Sequence, residues 1–276
     1  MRQEPERAGK APIIEYAGVP SGTPACGVGC VRPFSTGSGH RLPNYCGAVI
    51  YIHEQLELLP GKTDEFLARF EHDYEPLMVD LGARLVHVWE TVAISLPWPM
   101  AIWMWEVDDI AHYAKVANAQ YRDRARTAKF RDWRNATGGF ATKGEGRILT
   151  PSKKTPTLTD IQADGFSLDV CVHEWVTAQP DKEHDYAENI GRLWAPYAIN
   201  HGRRWIGTYT TNWKNHECIS IWALEKGYDT MPENYEAPWF SLMEQEGIAA
   251  WMSVAIALRE RYDDGLMHSL RPTQWQ

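Results

Sequence analysis

The chain has 276 residues, of which 44% are hydrophobic and 13 are tryptophan, and its formal net charge at pH 7 is −8. This acidic balance argues against a general nucleic-acid binder, which would carry a basic face. No apolar stretch reaches the ~20 residues that cross a bilayer, and the first residues lack the apolar core of a secretory signal. We therefore expect a cytoplasmic protein with a sizeable core and with neither a nucleic-acid nor a membrane partner.

Residues 1–46 are rich in proline, glycine and serine and show neither helical nor strand periodicity, so an irregular arm is predicted. The arm carries Cys26, Cys30 and Cys46, and the chain has five cysteines in all. An odd number indicates reduced thiols rather than a disulfide framework. Together with His40 these thiols could form a zinc site, but the spacing is loose and no second cysteine pair follows, so incidental thiols are favoured.

A regular pattern begins after this arm. Alternating apolar residues predict a first strand, and a helix follows in which Phe66, Phe70 and Tyr74 recur at helical spacing. Pro76 lies inside that helix and is expected to kink it. Two more strands, a second helical region and a last strand complete the β-α-β-β-α-β order of a ferredoxin-like unit. The predicted elements are strands at 48–58, 84–91, 101–107 and 146–150 and helices at 63–81 and 108–133.

This unit occurs twice. The dipeptide His53-Glu54 returns 120 positions later as His173-Glu174. A self-match at a fixed period indicates a tandem duplication. Further matches at this offset are Pro60 with Pro180, Lys62 with Lys182, Pro76 with Pro196 and Arg84 with Arg204. The predicted organisation is an irregular arm at 1–46, a first repeat at 47–151, a linker at 152–165 and a second repeat with a C-terminal tail at 166–276.

The order and lengths of the elements over about residues 47–270 resemble the dimeric α/β-barrel superfamily. Its members include NIPSNAP-type and EthD-type proteins, small monooxygenases and muconolactone-type isomerases. The resemblance implies that two four-stranded sheets pair into a barrel with the helices outside. Because both units lie in one chain, we expect an α+β fold of two tandem ferredoxin-like repeats that form a single-chain, pseudo-dimeric barrel. Such a chain would be a monomer or a homodimer of pseudo-dimers, and its fold alone does not define its chemistry.

Strand alternation sorts the side chains into a helix-facing and a barrel-facing layer. We assign plain aliphatic positions to the helices, including Val86, Ile102 and Met104, and we expect Leu85 to point inward. The predicted barrel-facing groups with acid-base chemistry are His53, His173, Asp169, His87, Tyr51 and Tyr209. The predicted substrate-binding residues are Trp89, Trp103, Trp105, Trp175, Trp205, Trp222, Gln55 and Cys171. An apolar, aromatic chamber with sparse polar groups is typical of a small-molecule pocket.

Histidine titrates near physiological pH, so His53 and His173 are candidates for proton transfer. The alternative is that each histidine only stabilises a polar core by bonding to backbone or water, and for each histidine this alternative has about the same weight as catalysis. Asp169 lies roughly 13 Å along the strand from His173, at ~3.3 Å per residue, and cannot pair with it directly. Glu54 and Glu174 fall on the helix-facing side, where pairing with lysine or arginine is favoured over catalysis. Because the inward residues differ between the repeats, we expect one lopsided pocket.

The resemblance implies a cofactor-independent enzyme that performs proton-transfer chemistry on a small apolar or aromatic metabolite. The reaction would be an isomerisation, a dehydration or elimination, or a cofactor-free oxygenation. One alternative is a metal or haem enzyme, because three histidines and an aspartate could ligate a transition metal and aldoxime dehydratases of this superfamily use a haem-ligating histidine. Another is a non-catalytic hydrophobic-ligand carrier or a NIPSNAP-like interaction protein. No glycine-rich phosphate loop follows a strand, which weakens nucleotide and flavin hypotheses.

Overall fold

The first repeat folds in the predicted order of elements. A computed structural model describes residues 49–92, 96–231 and 246–273, so the predicted arm and its zinc hypothesis at Cys26, Cys30, His40 and Cys46 lie outside the described residues. The elements of the first repeat are β1 (Ile50–Leu58), α1 (Thr63–Arg69), a π-helical turn (Phe70–Tyr74), α2 (Glu75–Asp80), β2 (Arg84–Thr91), β3 (Met100–Val107), α3 (Ile110–Tyr121), α4 (Arg124–Thr137) and β4 (Ala141–Pro151).

The second repeat follows the same plan after a connecting helix. The connecting helix is α5 (Leu158–Asp164). The elements of the second repeat are β5 (Val170–Ala178), α6 (Glu183–Asn189), a π-helical turn (Ile190–Trp194), α7 (Ala195–Ile199), β6 (Arg203–Thr211), β7 (Glu217–Leu224), a 3₁₀ turn (Gly227–Asp229), α8 (Glu246–Leu258) and β8 (Arg259–Ser269). None of the helices in the described ranges is long and apolar enough to cross a membrane.

The strands of both repeats close into one barrel in the order β1-β3-β2-β8-β5-β7-β6-β4. Each repeat contributes four neighbouring strands, and all the pairings are antiparallel. Two seams join the repeats, where Trp89 of β2 lies opposite Ser269 of β8 and Leu149 of β4 lies opposite Thr211 of β6. The structure therefore confirms the α+β fold of two tandem ferredoxin-like repeats in a single-chain, pseudo-dimeric barrel.

Local signals set the helix boundaries. Asp109 precedes α3, and its carboxylate accepts the His112 backbone N–H at 2.7 Å, which satisfies a free donor of the first turn. The predicted kink at Pro76 takes the form of a π-helical turn directly before α2. Pro76 is the second residue of α2. Proline cannot donate the helical hydrogen bond, and a widened turn accommodates its absence. Pro196 follows the second π-helical turn in the same way.

The connection between the repeats packs as part of the core. Thr157 and Asp160 form a reciprocal capping box at the start of α5. Leu158 and Ile161 are buried among residues of the barrel interior. The backbone N–H of Leu158 also donates to the buried carboxylate of Glu106 at 2.8 Å. The polar segment predicted as a linker thus contains a docked helix, while the exact domain boundaries remain predictions.

The tryptophans of β3 face the helices, so the predicted barrel-facing orientation of Trp103 and Trp105 is wrong. Directly opposite residues of an antiparallel pair share a face, and Ile52 lies opposite Trp105 while Glu54 lies opposite Trp103. The ring centroids of Trp103 and Phe66 of α1 are 5.6 Å apart. The wide space between sheet and helices takes the indoles, and the residues between them on β3 fill the barrel interior.

The second repeat shows the same arrangement. Trp222 lies opposite Val172 and opposite Trp205, and the rings of Trp205 and Trp222 stack with centroids 6.0 Å apart. Both pack with helix residues such as Trp251. Their predicted place in the chamber is therefore also wrong, whereas Ile219 and Ile221 belong to the interior cluster. Aliphatic side chains line this part of the barrel.

A β-bulge explains the remaining error of phase. The pairing of β2 with β3 shifts between Leu85 and His87, and β6 shifts at the equivalent place. Val86, predicted to face the helices, belongs to the interior cluster, and Leu85, predicted to point inward, packs on the helix side. One inserted residue reverses the alternation on one side of the bulge. Trp89, beyond the bulge, keeps its predicted inward orientation.

Candidate active site

The two repeated histidines meet inside the barrel. His53 and His173 are fully buried, and their Nε2 atoms are 2.9 Å apart. Such a contact needs one protonated Nε2 that donates to the lone pair of the other, so the accepting ring is neutral. Burial, with a smaller effect of the Arg147 charge, lowers the pKa of His53 to about 3, and burial lowers the pKa of His173 well below its ordinary value. Trp175 stacks on His173 with ring centroids 3.6 Å apart.

Three other predicted site residues, Tyr51, Tyr209 and Cys171, are also fully buried in the interior. The Tyr51 hydroxyl donates to the Glu106 carboxylate at 2.5 Å, and the rings of Tyr51 and Tyr209 are 4.9 Å apart. The Cys171 thiol donates to the Leu168 carbonyl at 3.4 Å. Burial raises the pKa of each of the three groups. They are therefore protonated, partnered groups of a packed interior.

His87 and Trp89 lie near a barrel seam. The Nε2 atom of His87 is 2.6 Å from the hydroxyl oxygen of Ser269, and the Trp89 indole N–H donates to the Leu168 carbonyl at 2.9 Å. Burial lowers the pKa of His87 to about 4. Both side chains face inward as predicted. The bond to Ser269 holds His87 against β8, and the bond to the Leu168 carbonyl holds Trp89 against the segment before β5.

The predicted inward orientation of Asp169 is wrong. The residue is exposed and precedes β5, which begins at Val170. Its carboxylate accepts a hydrogen bond from the Thr273 hydroxyl at 3.2 Å. Alternation holds only within a paired strand, and Asp169 lies one residue outside it. The aspartate therefore does not join the histidine pair.

A buried arginine that the sequence pattern did not reveal organises one end of the barrel. Arg147 of β4 lies opposite His53 of β1. Its guanidinium donates to Glu217 at 2.7 Å, to Glu145 at 3.0 Å and to Gln55 at 3.2 Å. Gln55, a predicted substrate-binding residue, is thus engaged by Arg147. Charge-assisted bonds of this kind fix side chains rather than leave them free for a ligand.

A cavity of about 480 Å³ lies outside the barrel, between the sheet of the first repeat and helix α3. We call it the α3 pocket. Residues of β1, β4 and α3 form its walls, and the β6–β7 connection of the second repeat completes them. The lining residues are Ile52, Glu54, Tyr113, Val116, Ala117, Gln120, Tyr121, Glu145, Gly146, Arg147, Ile148, Thr211, Asn212, Trp213 and Lys214.

Glu54 carries the chemistry of the α3 pocket. Its carboxylate accepts the Tyr74 hydroxyl at 2.7 and 2.9 Å and the Trp103 indole N–H at 2.7 Å. The predicted helix-facing orientation is therefore correct, but the favoured lysine or arginine partner is wrong, because a tyrosine and a tryptophan take that place. Burial raises the pKa of Glu54, and the hydrogen bonds from Tyr74 and Trp103 offset part of this effect. An oriented carboxylate with increased proton affinity suits acid-base chemistry.

The second repeat fills the equivalent space. Gly144 and Gly146 of β4 occupy the positions that Tyr262 and Asp264 occupy in the register of β8. The Tyr262 hydroxyl donates to Glu174 at 3.0 Å, and Glu174 is only 3% exposed. Gly146 lines the α3 pocket at the position that Asp264 occupies in the second repeat, so its missing side chain leaves space beside Glu54. A comparison of the two last strands in the sequence could have indicated this difference.

Exposed aromatic residues surround the opening of the α3 pocket. Tyr121 at the end of α3 is 65% exposed, and Trp213, between β6 and β7, is 83% exposed. Trp213 has a φ of 60°, in the left-handed region that a large side chain rarely adopts. The two rings come from different repeats, so both repeats contribute to the lining of one cavity.

The residues present do not form an evident metal or haem site. In the described ranges no group of three or more His, Cys, Asp or Glu side chains could hold a metal ion. The lining of the α3 pocket contains neither histidine nor cysteine, which are the usual haem ligands. Inside the barrel, the Nε2 atoms of His53 and His173 bond to each other. The predicted absence of a cofactor remains a prediction.

Solved structures with a similar fold include a predicted monooxygenase from Fusobacterium nucleatum, which aligns at 10% identity with a TM-score of 0.53 over 82% of this chain and 94% of its own. An anthrone oxidase-like protein aligns at 12% identity with a TM-score of 0.54 over 82% of this chain and 92% of its own. A NIPSNAP domain protein from Burkholderia xenovorans aligns at 18% identity with a TM-score of 0.33 over 39% of this chain and 99% of its own. No family model and no curated protein matches the sequence.

At these identities the first two likenesses show the fold alone. They place the chain among proteins with the dimeric α/β-barrel fold, as the resemblance of the sequence implies. Both alignments span more than four fifths of the chain, so they cover the two repeats together.

Proposed function

We propose that the chain is an enzyme that transfers a proton to or from a small, mostly apolar molecule bound in the α3 pocket, with Glu54 as the general base. The observation that carries this proposal is an oriented carboxylate beside a cavity of about 480 Å³. Cavities of this size are typical of small-molecule sites. The proposed reaction is acid-base chemistry on an apolar or aromatic metabolite, as the sequence predicts, but its site lies on the helix side of the sheet and not in the barrel interior.

The hydrogen bonds define a role for each residue. The ionised carboxylate of Glu54 accepts a proton from an acidic C–H or O–H group of the ligand and becomes a carboxylic acid, while the ligand becomes an anion. Tyr74 and Trp103 position the carboxylate through their bonds to it. Return of the proton to another atom would give an isomerisation, its use on a leaving group would give an elimination, and reaction of the anion with dioxygen would give an oxygenation. Each of these reactions begins with the same step.

The comparisons support an enzyme without defining its reaction. A predicted monooxygenase and an anthrone oxidase-like protein share the fold. Anthrone is a flat carbon acid whose ring methylene loses a proton readily, so it is a suitable probe for a general base. We include cofactor independence in the proposal because the step assigned to Glu54 needs only a carboxylate.

The test uses the full chain and two matched variants, Glu54→Gln and Glu174→Gln. Mass spectrometry would follow the exchange of the acidic hydrogen of anthrone for deuterium in deuterium oxide without dioxygen, and oxygen consumption would be followed in air. We expect the wild type to accelerate exchange and Glu54→Gln to slow it about 10²-fold or more, the usual contribution of a general base. Glu174→Gln should match the wild type. Equal rates in wild type and both variants would contradict the proposal, and binding without exchange would favour a ligand carrier.

The histidine pair supports a second candidate site. The Nε2 atoms of His53 and His173 share a proton at 2.9 Å, and their Nδ1 atoms have no hydrogen-bond partner among the described residues. Buried polar atoms without partners call for an explanation, and proton transfer is one. His53→Ala and His173→Ala would each reduce turnover if the pair takes part in catalysis. Unchanged turnover in both variants would leave the pair as a structural contact.

A further inference from the structure

The two repeats place different groups against their equivalent glutamates. In the first repeat Gly144 lies opposite Leu56, and in the second Tyr262 lies opposite Val176. Leu56 and Val176 are equivalent positions of the first strand of each repeat, separated by the same offset as the two His-Glu dipeptides. The side chain of Tyr262 therefore starts from the backbone position that is glycine in the first repeat.

Tyr262 brings a phenol ring to Glu174. Its hydroxyl donates to Oε1 of Glu174 at 3.0 Å and lies 3.2 Å from the Asp264 carboxylate. The guanidinium of Arg259 lies 4.6 Å from the centroid of the ring. A hydroxyl that donates to a carboxylate forms a charge-assisted bond, stronger than a bond between neutral groups. The second repeat thus binds a phenol to its glutamate from the last strand, β8, whereas the phenol of Tyr74 reaches Glu54 from the helix layer.

The first repeat leaves the corresponding acceptor accessible to a ligand. Glu54 and Gly146 both line the α3 pocket. Oε2 of Glu54 accepts bonds from Tyr74 and Trp103, each at 2.7 Å, whereas Oε1 accepts from Tyr74 at 2.9 Å. A carboxylate oxygen has two lone pairs, so Oε1 can accept a second donor from the side of β4.

The charges of the lining favour a neutral ligand. Its two cations, Arg147 and Lys214, pair with Glu145 and Glu217 at distances between 2.7 and 3.1 Å. An anionic ligand would meet carboxylates and would find no unpaired cation in the lining. A neutral hydroxyl group can instead donate to the Glu54 carboxylate. Aromatic faces are available for a flat ring. The aromatic residues of the lining are Tyr113, Tyr121 and Trp213.

We propose that the ligand of the α3 pocket is a hydroxylated aromatic molecule, whose phenol hydroxyl donates to Oε1 of Glu54 as the Tyr262 hydroxyl donates to Glu174. This assignment rests on the proposed function, because it gives the substrate class of the same pocket. The hydroxyl proton faces the general base, so the acid-base step begins at that oxygen: the O–H bond breaks, the proton moves to Glu54 and the electron pair stays on the phenolate. The volume of about 480 Å³ exceeds the need of a single ring, so a fused-ring phenol suits the pocket.

The test compares two probes, naphthol and its methyl ether methoxynaphthalene, by calorimetric titration of the full chain. The ether has the same rings and cannot donate a hydrogen bond. We expect naphthol to bind about tenfold or more tightly than the ether, as a hydrogen bond to a charged group allows. Glu54→Gln should remove most of this preference, and Glu174→Gln should keep it. Equal affinities of the two probes for the wild type would overturn the assignment and need no variant.

The outcomes separate this inference from the proposed function. If naphthol has no advantage but Glu54→Gln still slows anthrone exchange, the phenol assignment fails and the general base stands. If the preference for naphthol depends on Glu54 but exchange does not, the pocket binds phenols without catalysing proton transfer, and the proposed function fails. Circular dichroism of both glutamate variants would show that each is folded.

Discussion

The two repeats carry the same His-Glu dipeptide and use its glutamate differently. Glu54 lies beside an open cavity, whereas Glu174 is 3% exposed and bonded to Tyr262. Gly146 of β4 lines this cavity and has no side chain, whereas the equivalent residue of β8 is Asp264. A duplication inside one chain allows one repeat to open a site while the other preserves a packed copy of it. The closed copy then indicates which group the open copy can bind.

The barrel interior differs between the repeats in a second place. Arg147 lies opposite His53, and the equivalent position opposite His173 is Gly265. A side chain at Gly265 would collide with Leu96, which covers that glycine. At one end of the barrel, Arg147 of the first repeat forms ion pairs with Glu145 and Glu217. At the other end, Leu96, also of the first repeat, covers Gly265 of the second. Between the two ends the histidines bond to each other, so this region holds the repeats together.

The largest expected effect is a loss of stability when a tryptophan under the helices is replaced, which tests whether these tryptophans pack equivalently in both repeats. Trp103→Ala and Trp222→Ala should each lower the free energy of unfolding by about 3–5 kcal/mol, because each leaves a cavity between sheet and helices. Trp98, 56% exposed, provides the control, and its replacement by alanine should change stability little. Denaturant titration measures all three. A small effect of Trp103→Ala would mean that its indole faces an open chamber after all.

The second prediction places in the first repeat the tyrosine that bonds to the glutamate of the second repeat. Gly144→Tyr should reduce anthrone exchange about 10²-fold, because the new hydroxyl would bond to Glu54 as the Tyr262 hydroxyl bonds to Glu174 and would occupy the general base. Gly144→Ala is the matched control, since both variants place a Cβ atom near the Leu56 side chain, at 2.7 Å in the present conformation. The alanine variant should retain exchange. Full activity of Gly144→Tyr would show that the pocket is not the site.

The histidine pair predicts a pH dependence of stability. The folded pKa of His53 is about 3, below the ordinary value of 6.5, and that of His173 is also lowered. Unfolding takes up a proton at each lowered group, so stability is greatest above pH 6.5 and falls as the pH decreases. The His53 contribution falls by about 1.4 kcal/mol per pH unit down to about pH 3.

His87, whose pKa is lowered to about 4, contributes in the same pH range. The test is therefore the difference between wild type and a His53→Phe, His173→Phe double variant. Chemical denaturation at several pH values should give a steeper loss for the wild type below pH 6.5. Parallel curves would show that the pair is not buried and neutral.

The smallest expected effects distinguish the roles of Tyr262 and Tyr74, which bond to Glu174 and Glu54. Tyr262→Phe should destabilise the fold by about 1 kcal/mol through the lost bond to Glu174 and leave exchange unchanged. Tyr74→Phe removes a donor that lowers the pKa of Glu54, so the pH midpoint of exchange should move upward. The pH-rate profiles of the two variants measure this. An unchanged midpoint in Tyr74→Phe would contradict the role of Glu54.

The sequence predicted the fold well and the site poorly, for physical reasons. Duplication and hydrophobic period are properties of long segments, and they survive local irregularity. The orientation of one side chain depends on single residues, and the bulge after Leu85 or the start of β5 after Asp169 changes it. The predicted barrel-facing orientation of Trp103 was wrong, because hydrophobicity alone does not show whether a side chain packs in the wide space under the helices or in the narrow barrel interior. The two partners of Glu54, Tyr74 and Trp103, come from two other elements, which no local pattern joins.

A crystal structure of the chain with bound naphthol would test the central claim most directly, namely that the functional site is the α3 pocket with Glu54 rather than the barrel interior. We expect electron density for the ring system between β4 and α3, with the naphthol oxygen within hydrogen-bonding distance of Oε1 of Glu54. Density for naphthol beside His53 and His173, with an empty α3 pocket, would contradict it.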